Sequence, residues 1–271
     1  MLNRIELPGV IWLASDIHLG PDTPVTREVF HAFLDQACAE ADALILCGDI
    51  FDVWIGDDAA LDDPPPWLIP SLETFRRTAN TISLWLARGN RDFLIGPSLA
   101  RHLGAKLLPQ PVLLATPIGD VLVTHGDEYC TDDVGYQRFK RLVRNPLVQG
   151  MYLSLSLARR RRIAQYARQR SMASHGQKES AIMDVTADAV RAAFEQSGAS
   201  VMVHGHTHRP GLYKIMTPSG EKRRYVLPDW ECDQEPRRGG WISISEAGIL
   251  MHPLASLKSL KVACPQQGAG N

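Results

Sequence analysis

The sequence predicts an α/β fold carrying a helical insertion, and three observations predict it. Short apolar runs alternate with segments of helical period in the first third of the chain. Polar clusters of Asp, Asn, His and Gly follow five strand-like runs. A stretch from about 130 to 196 is helical in character and interrupts the alternation. Strands alternating with helices are the pattern of parallel α/β architecture.

In chain order, Val10 to Ala14 reads as a buried strand that runs into Ser15-Asp16-Ile17-His18. Thr26 to Glu40 sets Val29, Phe33, Leu34 and Ala37 at helical spacing. Ala43 to Cys47 is a second buried strand, stopped by Gly48-Asp49. Leu72 to Asn80 reads as a helix, and Thr81 to Ala87 as a third strand before Arg88-Gly89-Asn90-Arg91-Asp92. Val112 to Thr116 and Asp120 to Thr124 form a predicted hairpin that delivers His125-Gly126-Asp127. Ser200 to Val203 is a strand ending at His204-Gly205-His206-Thr207-His208. Short strands are predicted near 222–227, 241–245 and 248–252. The expected organisation is one domain over 1–260, with the helical insertion at about 130–196 and a flexible tail at 261–271.

In α/β sheets, ligands bind beyond the carboxyl ends of the strands. Five such loops meeting at one edge would make a polar pocket over an apolar floor. The insertion would form its lid or second wall.

A chain of 271 residues with 45% hydrophobic and 22% charged residues fits a globular domain with a sizeable core. The net charge of -1 argues against nucleic acid as a partner, which calls for a basic balance. Five cysteines, an odd count without C-x-x-C spacing, point to a reducing cytoplasm rather than a disulfide framework. The N-terminal apolar run lacks a signal-peptide layout and is too short to cross a bilayer. Contact with a membrane surface stays open.

The polar clusters supply carboxylate oxygen, amide oxygen and imidazole nitrogen, but no thiolate. That donor set suits Mn²⁺, Fe or Zn²⁺. Asp16, His18, Asp49, Asn90, His125, His206 and His208 are too many ligands for one tetrahedral ion. They fit two ions about 3.5–4 Å apart with a bridging carboxylate. Such a pair lowers the pKa of a shared water and clamps phosphoryl oxygens for in-line attack. Taken singly, each cluster is an ordinary turn. Their joint occurrence in order is what points to a site.

That order is Asp16-Ile-His18, Gly48-Asp49, Gly89-Asn90-Arg91, His125-Gly126 and Gly205-His206-Thr-His208. It resembles the calcineurin-like metallophosphoesterase superfamily over nearly the whole chain. The resemblance implies a sandwich of two mixed β-sheets flanked by helices. It implies that Asp16, His18, Asp49 and His208 hold one ion, that Asp49 bridges, and that Asn90, His125 and His206 complete the second. Asp49, His125 and Arg91 form the implied catalytic set. Arg91 can hold a phosphate oxygen in bidentate fashion; alternatively it is a surface arginine paired with Asp92. His204 falls outside the ligand set and is read as structural or supporting. A non-catalytic scaffold of the same fold, or a phosphoesterase acting on another nucleotide or phosphodiester, are the competing readings.

Longer motifs narrow the resemblance: Gly48 to Asp58, Gly89 to Phe93, His125 to Asp133, His204 to Pro210 and Val226 to Trp230. They are similar to the UDP-2,3-diacylglucosamine pyrophosphatase family of Gram-negative bacteria. The resemblance implies hydrolysis of UDP-2,3-diacylglucosamine to 2,3-diacylglucosamine 1-phosphate and UMP with two Mn²⁺ ions. It implies a monomeric cytoplasmic enzyme, peripheral on the inner leaflet, whose insertion is a lipid-binding cap. Implied substrate contacts are Asn90, Arg91, Asp133, Tyr136, Ser171, His175, Lys178 and His206. The family often has Asn or Thr where this chain has His175, so that residue departs from the pattern.

The insertion offers Leu142, Val143, Leu147, Val148, Met151, Tyr152, Leu153, Leu155 and Leu157 for acyl chains, or for ordinary helix packing. Arg159 to Arg162 are either a solvated face or an approach to anionic phospholipid. Asp52, Asp57, Asp58, Asp132 and Asp133 either orient ligands or cap turns.

Overall fold

A computed structural model describes residues 2–175 and 184–258, with side chains described except at 169–175. Two six-stranded mixed sheets pack face to face. In the first, β1 (Asn3–Glu6), β6 (Val112–Thr116), β7 (Gly119–Val123), β8 (Val201–His204), β10 (Gly220–Val226) and β9 (Gly211–Thr217) lie side by side in that order. In the second the order is β12 (Gly248–Pro253), β11 (Gly240–Ser245), β2 (Ile11–Ala14), β3 (Ala43–Leu46), β4 (Ser83–Leu86) and β5 (Lys106–Leu107). The run from β2 to β5 is parallel, as is the β7–β8 pair.

The strands read as continuous apolar runs because both faces of each sheet are covered. In β2, Ile11 and Leu13 point into the space between the sheets, while Trp12 and Ala14 point outward. Val112, Leu114, Val121, Val123, Val201 and Val203 meet them from the other sheet. Helices α1 (Pro24–Glu40), α3 (Ile69–Thr81) and α4 (Pro97–Leu103) cover the outer face of the second sheet. Phe30, Phe33, Phe75 and Leu99 pack there on Trp12, Leu46 and Leu86. Each such buried side chain contributes ~1.5–3 kcal/mol. A short helix, α2 (Asp58–Leu61), lies in the loop after β3.

Helix α8 (Ala187–Ser197) covers the first sheet, with Val190, Ala193 and Phe194 on Leu122 and Met202. It lies inside the stretch read from sequence as the insertion, but it packs as a sheet-flanking helix. The helices that project from the sandwich are α5 (Val134–Val143), α6 (Pro146–Leu153) and α7 (Leu157–His175). Neither α5 nor α6 buries any residue. Asp133 and Asn145 cap them, accepting from the amides of Tyr136 at 3.0 Å and Leu147 at 2.9 Å. The tail at 261–271 lies outside the described residues.

Candidate metal centre

Five loops bring the predicted ligands together beyond the carboxyl ends of β2, β3, β4, β7 and β8. Donor atoms of Asp16, His18 and His208 lie within 4.8 Å of one another, as do those of Asp16, Asp49 and His125. His125 Nε2 stands 3.1 Å from Asn90 Oδ1 and 3.7 Å from Asp49 Oδ1. His206 joins through its ring, 5.1 Å from that of His125 between centroids.

The backbone is forced into this arrangement. Asp16, His18, Asp49, His206 and His208 have positive φ, and among the described residues they are the non-glycine residues that do. Left-handed backbone at non-glycine residues costs about 1–3 kcal/mol each and persists where the surroundings over-determine it. The glycines of the motifs have a steric reason. A Cβ at Gly89 would overlap Asp49 Oδ1, and one at Gly205 would overlap Ser15 Oγ and Asp16 Oδ2.

Supporting bonds aim the donors. Asp16 Oδ2 accepts from Ser15 Oγ at 2.6 Å and from the His206 amide at 2.9 Å. Asp16 Oδ1 and both ring nitrogens of His18 are buried without a hydrogen-bond partner. Buried groups of this kind are costly unless something completes them, and a cation on this O/N donor set would do so. His125 Nδ1 faces the Cys47 carbonyl at 3.0 Å, which fixes the tautomer and presents Nε2. His208 Nε2 stands 3.4 Å from Asp16 Oδ1, and its Nδ1 stands 3.6 Å from Asp229 Oδ2, a carboxylate placed to orient the ring. Asp16 is common to both donor groups, whereas the resemblance implies Asp49 as the bridge.

The electrostatics also suit a cation. Burial pushes His18 down to about 3, and burial with His125 takes His206 to about 3, so both rings are neutral donors at pH 7. Burial pushes the Asp49 carboxyl up to about 7 against the pull of His125, and Asp92 and Asp16 push it further. Burial alone would lower His125, but Asp49, Asp16 and Asp127 lift it to about 9. Burial first, and neighbouring carboxylates after it, hold Asp49 up, and a cation would offset both.

Arg91 does not pair with Asp92. The Asp92 carboxylate is buried and accepts from the amides of Gly89 at 2.6 Å and Ile50 at 2.7 Å, bracing the loops that carry Asn90 and Asp49. Arg91 instead donates through Nη1 to Asp52 at 3.2 Å, and its Nε lies 4.0 Å from Asp49 Oδ2. Asp57 caps α4, accepting from the amides of Gly96 at 2.9 Å and Leu99 at 2.8 Å. Asp58 pairs with Arg160.

The expected substrate contacts divide. Tyr136 stacks on His206 at 6.2 Å, and its hydroxyl donates to Asp127 at 2.5 Å. Asp133 caps α5. Ser171 and His175 lie on α7 where side chains are not described, and Lys178 lies outside the described residues. Beside α7, a groove of about 320 Å³ is lined by Trp54, Ile55, Trp67, Leu68, Arg161 and Arg168, among others. The tetra-arginine run is not one surface. Arg160 is 2% exposed and holds the Ile55 carbonyl at 2.7 Å, while Arg159, Arg161 and Arg162 are exposed.

The sequence reading missed three supporting residues. Asp229 orients His208, and Ser15 orients Asp16. Asp127 gathers Tyr136, Lys140 at 2.9 Å and Arg144 at 3.3 Å. Asp127 and Asp229 sat inside quoted motifs, but nothing in the chain order says which donor faces them.

Residues 9–210 match the calcineurin-like phosphoesterase family. A Bordetella parapertussis protein named UDP-2,3-diacylglucosamine hydrolase is 50% identical over 249 residues, covering 92% of this chain and 96% of its own. Proteins of the same name from Sodalis glossinidius and Pseudomonas putida are 39% and 36% identical, covering 88% and 90% of this chain and 95% and 98% of their own. The family match begins before Asp16 and ends just past His208, so it encloses every candidate ligand, and the chain belongs to the calcineurin-like phosphoesterases as a metal-dependent hydrolase.

Proposed function

We propose that the chain hydrolyses the pyrophosphate bond of UDP-2,3-diacylglucosamine, giving 2,3-diacylglucosamine 1-phosphate and UMP, with two Mn²⁺ ions. One observation carries the reading: a cage of oxygen and nitrogen donors sits beside a helical cap that leaves its apolar side chains in solvent. Val134, Phe139, Leu142, Leu147, Met151 and Tyr166 are each more than half exposed there. A soluble nucleotide or sugar has no use for such a surface, whereas a diacylated one needs it. The name borne by the relatives supports the same substrate.

In this reading Asp16, His18, Asp49 and His208 hold one cation, and Asn90, His125 and His206 complete the second. Asp49 would serve both cations, as the family resemblance implies; Asp16 Oδ2 is committed to Ser15 and the His206 amide, and Asp49 Oδ1 to the Arg91 amide. The bound cations supply acidified water and draw charge from the phosphoryl oxygens. Arg91, steadied by Asp52, holds a phosphoryl oxygen as charge develops. Tyr136 stands at the head-group side of His206, with Asp133, Ser171, His175 and Lys178 as further head-group contacts.

No described helix is long and apolar enough to cross a membrane. We place the chain, as a monomer, in the cytoplasm on the inner leaflet, with the cap's apolar residues inward and Arg159, Arg161 and Arg162 near anionic headgroups at ~1 kcal/mol each. The test is turnover of UDP-2,3-diacylglucosamine beside UDP-glucose and a chromogenic phosphodiester. Strong preference for the lipid is expected. Equal rates on all three reject the assignment.

A further inference from the structure

The groove beside α7 reaches Asp52, the partner of Arg91, but cleaving a pyrophosphate leaves two products. A second cavity, of about 570 Å³, opens against His208. It shares no lining residue with that groove, and no cap helix contributes to it. Its volume falls within the range of about 300–1,000 Å³ usual for small-molecule sites.

Its chemistry is cationic at one wall and rigid elsewhere. Arg237 and Arg238 come from a hairpin closed by paired backbone bonds, Glu231 amide to Arg238 carbonyl at 2.9 Å and Arg238 amide to Glu231 carbonyl at 2.7 Å. Arg238 spends Nε and Nη2 on Asp229 Oδ2, at 3.2 and 3.0 Å, which leaves Nη1 for a ligand. The same carboxylate faces His208, so one arginine is held in register with a candidate metal ligand. Arg237 is about half exposed and pairs with Glu235 at 3.2 Å at the rim. Pro228 gives a rigid apolar wall suited to a flat ring or ribose.

We propose that this cavity receives the nucleoside monophosphate half of the substrate, with Arg237 and Arg238 as its cationic contacts. Two guanidinium groups suit an anionic, polar product, and the exposed apolar cap suits the acylated one. The proposal rests on the UDP-sugar lipid reading of the centre.

The test titrates UMP, inorganic phosphate and 2,3-diacylglucosamine 1-phosphate into the metal-loaded full chain by calorimetry. UMP should bind the unaltered protein at least tenfold more tightly than phosphate. Ala255→Trp places a bulky ring in the cavity, and Arg237→Ala removes the rim charge. Each should weaken UMP about tenfold and phosphate less than twofold. If Ala255→Trp does not fold, by circular dichroism, Arg237→Ala and Arg238→Lys decide. UMP affinity equal to that of phosphate, unchanged UMP affinity in the folded variants, or a loss confined to the lipid product overturns the assignment. Where UDP-2,3-diacylglucosamine is still turned over by the unaltered protein, such a result sinks the nucleotide site alone. Absence of that turnover sinks the substrate reading and the nucleotide occupant together.

Discussion

Arg160 Nη1, on cap helix α7, donates to Asp58 Oδ1 of the sandwich at 2.8 Å. The same nitrogen reaches the Ile55 carbonyl, and Arg160 Nε reaches the Leu155 carbonyl at 3.1 Å. Since α5 and α6 bury nothing, polar anchors hold the cap: this one, the cluster on Asp127, Arg144 on the Gly89 carbonyl at 3.1 Å, and Arg168 of α7 on Asp52 at 2.8 Å. Arg160→Met should cost on the order of 1 kcal/mol by removing its bonds to half-buried acceptors. Melting temperature should fall by ~2–4 °C per kcal/mol for a chain of this size. Hydrogen exchange should quicken over 157–168 and not over β2 or β3. Unchanged exchange in α7 would show that the anchor is idle.

Arg91 is one-quarter exposed, with Asp52 on one side and Asp49 on the other. On the proposed reading, that guanidinium meets the phosphoryl group more strongly as charge develops. Arg91→Ala should therefore lower kcat by on the order of 10²-fold or more, with a smaller change in KM. Steady-state kinetics decide it, and a variant unchanged in both parameters removes the residue from the reaction.

Gly205 sits where a Cβ would overlap Ser15 Oγ and Asp16 Oδ2. Gly205→Ala must displace Asp16 or the His206 loop. Overpacking of this kind costs typically about 1–3 kcal/mol. The stronger effect should be on metal content, measured by mass spectrometry after dialysis. Metal content and activity equal to those of the unaltered chain would show that the loop has room the geometry denies it.

The ligand loops were legible because each apolar run stops abruptly at a small polar cluster, and no cluster makes sense as core. Glycine precedes Asp49, Asn90 and His206, but that Gly89 and Gly205 stand where a Cβ would collide shows only in three dimensions. What stayed hidden depends on distance in three dimensions. Arg159 to Arg162 are chemically alike in sequence, and only Asp58 and the Ile55 carbonyl single out Arg160. Helix α8 has helical character like α5 to α7, and only its contact with Leu122 and Met202 assigns it to the sheet. Strand β9 alternates half-buried and exposed residues at the sheet edge, so its apolar run is too broken to stand out. β1 lies at the opposite edge of the same sheet, mostly exposed.

Asp49 accepts the Arg91 amide at 2.8 Å and lies 3.7 Å from His125 Nε2. Asp49→Asn keeps the size and that acceptor but removes a full negative charge from the cage. Activity should fall below detection, and bound metal should drop by at least one equivalent. The far-ultraviolet dichroism should be unchanged, because Asp49 supports no element interior. Full activity in this variant would remove Asp49 from the metal centre.

The start of α1 supplies the last prediction. Thr23, at the N-cap position, makes no side-chain capping bond. Asp233 does the work from the far end of the chain, accepting from the amides of Val25 at 2.9 Å and Thr26 at 3.0 Å, and from the Thr26 hydroxyl at 2.7 Å. Burial opposes the charge, but these donors hold the Asp233 carboxyl below its usual range. A depressed folded pKa stabilises the protein above the unfolded value of about 3.9, and that contribution fades as pH falls through the folded value. Asp233→Ala should cost ~0.5–2 kcal/mol near pH 7, the usual worth of a helix cap. Denaturant unfolding from pH 7 down to about 3.5 should show the gap between variant and unaltered chain narrowing at the acid end. A gap that holds constant or widens across that range would mean the carboxylate charge is not what secures the helix.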